Sequence, residues 1–428
     1  MALEVLTQNI FLVIMGALSI IYFSWLILAF MPKKQNNAKR ILPSLSVLIP
    51  AHNEEKNIKK TLESVVKANY PKKEVIVIDD GSKDKTAKIV KQFSSKYPFI
   101  KLLRTNHEGK ARALNVGLAK ASSEIIILLD ADTTIEENAL EEIVQPFSEK
   151  NVGASTSTVK VVSTKKILTW FAQVEYAGFY GWNYACDKIN AIPVTSPFAA
   201  FRRDALKKIG GFKGETAVED HDLCMHLKKE GYIIRMAPNA VGNTIMPETL
   251  KGWLKQRMRW RYGILQVLKE HWDLFLNKKH ANFGYYVFPT QIYWYIHSVI
   301  YVPLVLFQIF GDYWKYFGVY GNFFSFEALR FLFNWFTLFG MVDFIGRTIS
   351  GLYPLNLTTI LILIVFTLSY SFLLFSVFKF LKKFSWKHLL VIVLFFPYSL
   401  MNLVVNVSSI FYYLLKSSTK WQKWEKQL

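Results

Sequence analysis

The chain has 428 residues, room for two or three structural units, and is 52% hydrophobic yet 20% charged, with a net charge of +20. That mixture points to a charged soluble part joined to membrane spans, and the basic excess suits anionic lipid headgroups or a phosphorylated small substrate. Nucleic acid is disfavoured because no zinc-finger spacing or RNA-recognition motif is present. The two cysteines, Cys186 and Cys224, form no C-x-x-C, which argues against a structural zinc or disulfide framework and for a reducing cytosolic face.

Residues 10–30 form an apolar run long enough to cross a bilayer, and Lys33, Lys34, Lys39 and Arg40 follow at once. The run is too long for a signal peptide and lacks a basic leader and a cleavage site, so it reads as an uncleaved anchor. Its basic flank places the following chain in the cytoplasm. From about residue 45 to 237 short strands alternate with amphipathic helices. "LSVLIPA", "EVIVIDDGS", "IKLLRT" and "EIIILLDAD" read as strands, and "EEKNIKKTLESVVKA", "KDKTAKIVKQFSSKY" and "KARALNVGLAKA" as helices. Ile58, Leu62, Val65 and Val66 share one face of the first helix. This alternation predicts an α/β, Rossmann-like domain with a mostly parallel sheet, whose ligands sit beyond the carboxyl ends of the strands. Residues 249–276 mix Trp, Arg, Lys and Leu and read as helices along the membrane surface. Candidate spans follow at 283–310, 329–345, 355–378 and 389–415. The second is the weakest, since it holds Asn334 and Asp343. Four spans return the basic tail, with Lys416, Lys420, Lys423 and Lys426, to the cytoplasm but leave the lysines of "KFLKKFSWKH" outside; three spans reverse both, and four are preferred. The predicted units are therefore an anchor at 1–31, a catalytic domain at 43–248, surface helices at 249–280, a membrane region at 281–416 and a basic tail at 417–428.

Chemistry concentrates at the predicted strand ends. Asp79 and Asp80 close one strand before Gly81, and a nucleotide base or ribose is a fitting partner for such acids. Asp130 and Asp132 close another. Two carboxylates aimed at one point repel unless a cation joins them, so Mg²⁺ or Mn²⁺ is expected there. Lys110 and Arg112 open a helix, where cations oppose the macrodipole unless an anion such as pyrophosphate is present. Glu219, Asp220 and Asp222 are expected just before a helix at 223–230, and one of them can take a proton from an attacking hydroxyl. His221 reads as a neighbour rather than a metal ligand. Gln256, Arg259 and Trp260 share a helix face that offers a phosphate fork and a sugar platform, or equally lipid-phosphate and interfacial contacts.

In order, "PAHNEE", "VIDDGSKDKT", "GKARALN", "LLDADTTI", "VED" and "QRMRW" resemble the motifs of membrane-bound family 2 glycosyltransferases. The likeness is greatest to processive synthases of poly-N-acetylglucosamine, hyaluronan and cellulose. It implies a GT-A domain, inserted between transmembrane helices, that takes a UDP-sugar with Mg²⁺ or Mn²⁺ at the cytoplasmic face of the cell membrane. Asn53, Glu54, Asp79, Asp80, Lys110, Asp130, Gln256, Arg259 and Trp260 would hold the donor, Asp130 and Asp132 the metal, Asp220 would be the base, and Glu219 and Trp260 would meet the acceptor. The product would be a β-linked polysaccharide, made by inversion. Pro197 and Phe198 stand where many synthases have small residues, which puts the acceptor in question and keeps a lipid acceptor, as in ceramide glucosyltransferases, as the alternative. An inactive binding protein and a transporter are the remaining rivals.

Overall fold

The computed structural model describes residues 2–32, 40–319, 321–381 and 383–415. The lysines at 33, 34 and 39 and the basic tail at 416–428, on which the charge-bias reading leans, lie outside these residues.

After helix α1 (Ala2–Phe30), the chain builds β1 (Leu45–Ala51), α2 (Ile58–Lys67), β2 (Lys73–Asp80), α3 (Thr86–Lys96), β3 (Ile100–Thr105), α4 (Lys110–Lys120) and β4 (Ile125–Leu129). The predicted alternation is present here, and these four strands pair in parallel in the order β3-β2-β1-β4. The apolar runs of β1, β2 and β4 are buried on both faces, as helices on either side of a parallel sheet require, while β3 is the partly exposed edge. The chain leaves β1 toward β2 and β3, then returns to β4 on the other side of β1. That reversal opens a crevice at the carboxyl ends of the strands.

The sheet then becomes mixed. Strands β5 (Thr133–Ile135), β6 (Val152–Val161), β7 (Phe198–Arg202) and β8 (Ile233–Thr244) extend it as β4-β7-β6-β8-β5. β4–β7, β7–β6 and β8–β5 are antiparallel, and β6–β8 is parallel. Helices α5 (Ala139–Val144), α6 (Ile167–Lys188), α7 (Arg203–Lys208) and α8 (Glu219–Lys229) connect this half. Helix α2 starts at Ile58, later than the amphipathic pattern predicts, because the backbone N–H groups of Glu54 and Glu55 donate to Thr86 Oγ1 and Asp84 Oδ2 instead of entering a helix.

Beyond the sheet come α9 (Leu250–Glu270), α10 (Phe288–Tyr313), α11 (Phe326–Phe336), α12 (Leu338–Ile349), α13 (Leu357–Phe380), α14 (Trp386–Val393) and α15 (Phe395–Leu415). Among the described residues, four helical stretches are long and apolar enough to cross a membrane: Gln8–Phe30, Phe283–Gly318, Leu357–Phe380 and Phe395–Leu415. The weakest expected span, 329–345, is instead the pair α11 and α12, bent by 99°. The break falls at Thr337, whose backbone is extended, and Asp343 is held by Arg347 Nε at 2.9 Å and Asn334 Nδ2 at 3.4 Å. The expected span 389–415 also divides. Pro397 has no N–H and its ring opposes the carbonyl four residues back, so α14 ends at Val393 and α15 begins afresh.

The membrane-type helices and the sheet domain share contacts. Trp25 of α1 meets Trp182 of α6, Trp294 of α10 and Phe372 of α13. Trp253 of α9 donates its indole N–H to Tyr398 of α15 at 3.0 Å.

Candidate active site

The crevice is framed by two stitched turns. Asn53 adopts φ 54°, and its Oδ1 accepts from the Lys83 N–H at 2.9 Å. Glu54 is buried and its Oε2 accepts from Asn57 Nδ2 at 2.9 Å. Asp79, with no exposed surface, takes the Ser82 N–H at 3.1 Å and Arg104 Nε at 3.1 Å. Asp80 accepts from the Glu108 and Gly109 N–H groups and the Thr105 hydroxyl, each at 2.9 Å. Burial opposes ionisation of Asp80, but these donors outweigh it and hold the carboxyl below its ordinary range. Its structural effect is to fix the 105–109 loop, in which Gly109 takes φ 98° and α4 starts at once with Lys110. Above it the rings of His52 and His107 stack at 3.9 Å.

Lys110 reaches Asp130 Oδ1 at 2.8 Å and Glu219 Oε1 at 2.6 Å. The cation that seemed misplaced at a helix start is thus balanced by carboxylates from two other elements. Arg112 points elsewhere and pairs with Glu108 at 2.6 Å. Asp130, Ala131 and Asp132 lie in the turn between β4 and β5, just past the strand the sequence assigned them to. Thr61 Oγ1 donates to the Ala131 carbonyl at 2.7 Å and fixes that turn.

Glu219, Asp220 and Asp222 form the first turn of α8, not the loop before a helix at 223–230. Acids favour a helix amino end, so the helix begins four residues earlier than predicted. Burial and the neighbouring Glu219 charge push Asp220 up to about 6, with Lys110 opposing them. Burial opposes ionisation of Glu219 too, but Lys110 and Arg259 keep it well below the usual range. Arg259 also donates to the Ala217 carbonyl at 2.9 Å, bracing the segment that leads into α8.

Arg257 carries a role that sequence reasoning missed. It is fully buried, and both Nε, at 3.1 Å, and Nη2 donate to the carboxylate of Glu175 in α6. The Tyr398 hydroxyl donates to the same carboxylate at 2.6 Å. Gln256 Oε1 accepts from Arg257 Nη1 at 2.7 Å, and Trp260 lies 4.4 Å from the guanidinium. The available signal was Glu175 itself, an acid set among the aromatic residues of "TWFAQVEYAGFYGW". Phe198 is buried in the sheet, opposite Leu129, and the Pro197 carbonyl accepts the Asp130 N–H at 3.2 Å. Both residues therefore serve the end of β4 structurally.

Acids and a lysine thus gather at the switch point of a mixed α/β sheet, where open α/β sheets bind their ligands. Residues 46–210 match the model of glycosyl transferase family 2. The chain is 35% identical over 298 residues to a probable glycosyltransferase, YdaM, of Bacillus subtilis (strain 168), covering 66% of this chain and 70% of that one. It is 34% identical over 241 residues to a poly-beta-1,6-N-acetyl-D-glucosamine synthase of Staphylococcus epidermidis, covering 55% of this chain and 58% of the synthase, less than two thirds of its length. The mannosyltransferase PcManGT from Pyrobaculum calidifontis, solved with GDP-Man and Mn²⁺, shares the fold with a TM-score of 0.61 at 21% identity, over 89% of this chain and 99% of that one. The chain belongs to glycosyl transferase family 2.

Proposed function

We propose that the protein transfers a sugar from a UDP-sugar to a growing β-linked polysaccharide, with inversion, at the cytoplasmic face of the cell membrane. The observation that carries this reading is Lys110 bridging Asp130 and Glu219 beside an Asp220 whose proton affinity is raised. The relatives named poly-beta-1,6-N-acetyl-D-glucosamine synthase favour N-acetylglucosamine as the sugar and a polymer as the product.

The residues fit a hard divalent ion. Asp130 and Asp132 offer carboxylate oxygens from one half-buried turn, and Asp130 already attracts an ammonium group. Bound there, Mg²⁺ or Mn²⁺ would offset the charge growing on the departing diphosphate. Lys110 and Arg259 supply further positive charge on the same side. Asn53, Glu54, Asp79 and Asp80 shape the loops against which the uridine would rest, and Gln256 and Trp260 lie on the helix expected to close over donor and acceptor. Asp220, once ionised, takes the proton of the acceptor hydroxyl. That oxygen attacks the anomeric carbon opposite the leaving diphosphate, so an α-linked donor gives a β-linked product without a covalent enzyme intermediate.

The test is to incubate the full chain in lipid with radiolabelled UDP-sugars and Mn²⁺, then size the product. A long polymer cleaved by a β-specific glycosidase is expected. A single sugar on a lipid would replace the polymer reading with the lipid-acceptor one.

A further inference from the structure

One buried cluster has no part in this chemistry. Asp222 lies in the first turn of α8, His226 one turn on, and His271 directly after α9. One Asp222 oxygen is 2.7 Å from His271 Nε2, and the other is 3.8 Å from His226 Nε2. The ligand atoms of all three lie within 4.8 Å of one another. Asp222 and His271 are 1% and 0% exposed. In contrast to Asp80, the Asp222 carboxylate has no backbone N–H or hydroxyl partner among the described residues, so the imidazoles alone face its charge. A buried carboxylate requires compensation by a cation.

We propose that Asp222, His226 and His271 form a binding site for a zinc-type divalent ion, separate from the acids of the donor site. Zinc ligands lie at about 2.0–2.1 Å from the metal, so tetrahedral neighbours are about 3.4 Å apart. The 3.8 Å between His226 Nε2 and one Asp222 oxygen is near that value, and the 2.7 Å hydrogen bond from His271 to the other oxygen opens when an ion takes its place. Two imidazole nitrogens with one carboxylate select zinc and its neighbours over magnesium, whereas the all-oxygen pair at Asp130 and Asp132 selects the reverse. The His226 side chain is 27% exposed, leaving a route from solvent and room for a water as fourth ligand. His221, also buried, has an Nε2 with no hydrogen-bond partner among the described residues. The sequence hid this site because His271 lies 49 residues beyond Asp222 and is brought back by the length of α9. An ion here ties the helix of Glu219 and Asp220 to the far end of the helix of Gln256, Arg259 and Trp260, and so sets the spacing between them.

The test uses the full-length protein in detergent, stripped with chelator and recharged with Zn²⁺ or Co²⁺. Metal per chain is measured by mass spectrometry, and Co²⁺ coordination by visible absorption. The expected result is one ion per chain, a ligand-field band for low-coordinate Co²⁺ and a raised thermal midpoint. Asp222→Asn and His226→Ala should each weaken binding at least about tenfold, while Asp132→Ala keeps the zinc. His226 is at the rim, so its variant tests the site even where Asp222→Asn fails to fold. Folded wild-type protein that takes up no zinc, or a His226→Ala variant that retains it undiminished, overturns the proposal.

Discussion

At Lys110 one ammonium group meets two carboxylates drawn from β4's end and from α8, and Asp220 lies alongside them. A base must be ionised to accept a proton. With Asp220 raised to about 6, kcat/KM should rise with pH through about 6 and level off above it. Lys110 favours the charged form of Asp220, so Lys110→Met should move this acid limb to higher pH, read from a pH–rate profile. An unmoved limb would separate Lys110 from the base. Asp220→Asn keeps shape but loses the proton acceptor. Turnover should fall by about 10²–10⁴-fold, with UDP affinity by calorimetry nearly unchanged. A loss of affinity with chemistry intact per bound donor would contradict the assigned role.

Between elements, the contact with most at stake is the pair of buried Arg257 with half-buried Glu175, which joins α9 to α6 and, through Tyr398, to α15. Removing one partner strands a charge in the interior. Glu175→Gln should cost about 3 kcal/mol or more, and Glu175→Gln with Arg257→Met should recover part of that loss. Thermal unfolding in detergent reads both, and equal stability of wild type and Glu175→Gln would show the pair to be unimportant. The first half of the domain was legible because each strand and helix carries its own period: the buried run at 125–129 and the staggered apolar residues of α2 need no tertiary context. The site's acids were legible as residues but not as contacts, since nothing local tells Lys110 that Glu219 will arrive. The Arg257–Glu175 pair likewise depends on a distant partner, whereas the early start of α8 follows from its own acids. Three-residue β5 and the break at Thr337 give too short a pattern to read.

On the scale of the whole molecule, α/β and membrane-type segments are distinguished by composition alone, which is why that division was visible in the sequence. The mixed right half of the sheet was not, because strand direction there is set by α6 and by long-range pairing rather than by alternation. Sidedness has a direct check. Cys186 and Cys224 are both buried, so a new surface thiol reports alone. Lys88→Cys, on the exposed face of α3, should react with a membrane-impermeant maleimide in inside-out vesicles and not in intact cells. Labelling of intact cells would place the catalytic domain outside.

The central claim is that acids distant in sequence hold one cation-bound sugar donor for direct displacement. It is tested most directly by following UDP release and product anomeric configuration by NMR, for the full chain in lipid with UDP-N-acetylglucosamine, with and without Mn²⁺, alongside Asp132→Ala. The account predicts divalent-dependent release, a β-linked product and a weakened metal response in the variant. Release that ignores divalent ions, or an α-linked product, would contradict it.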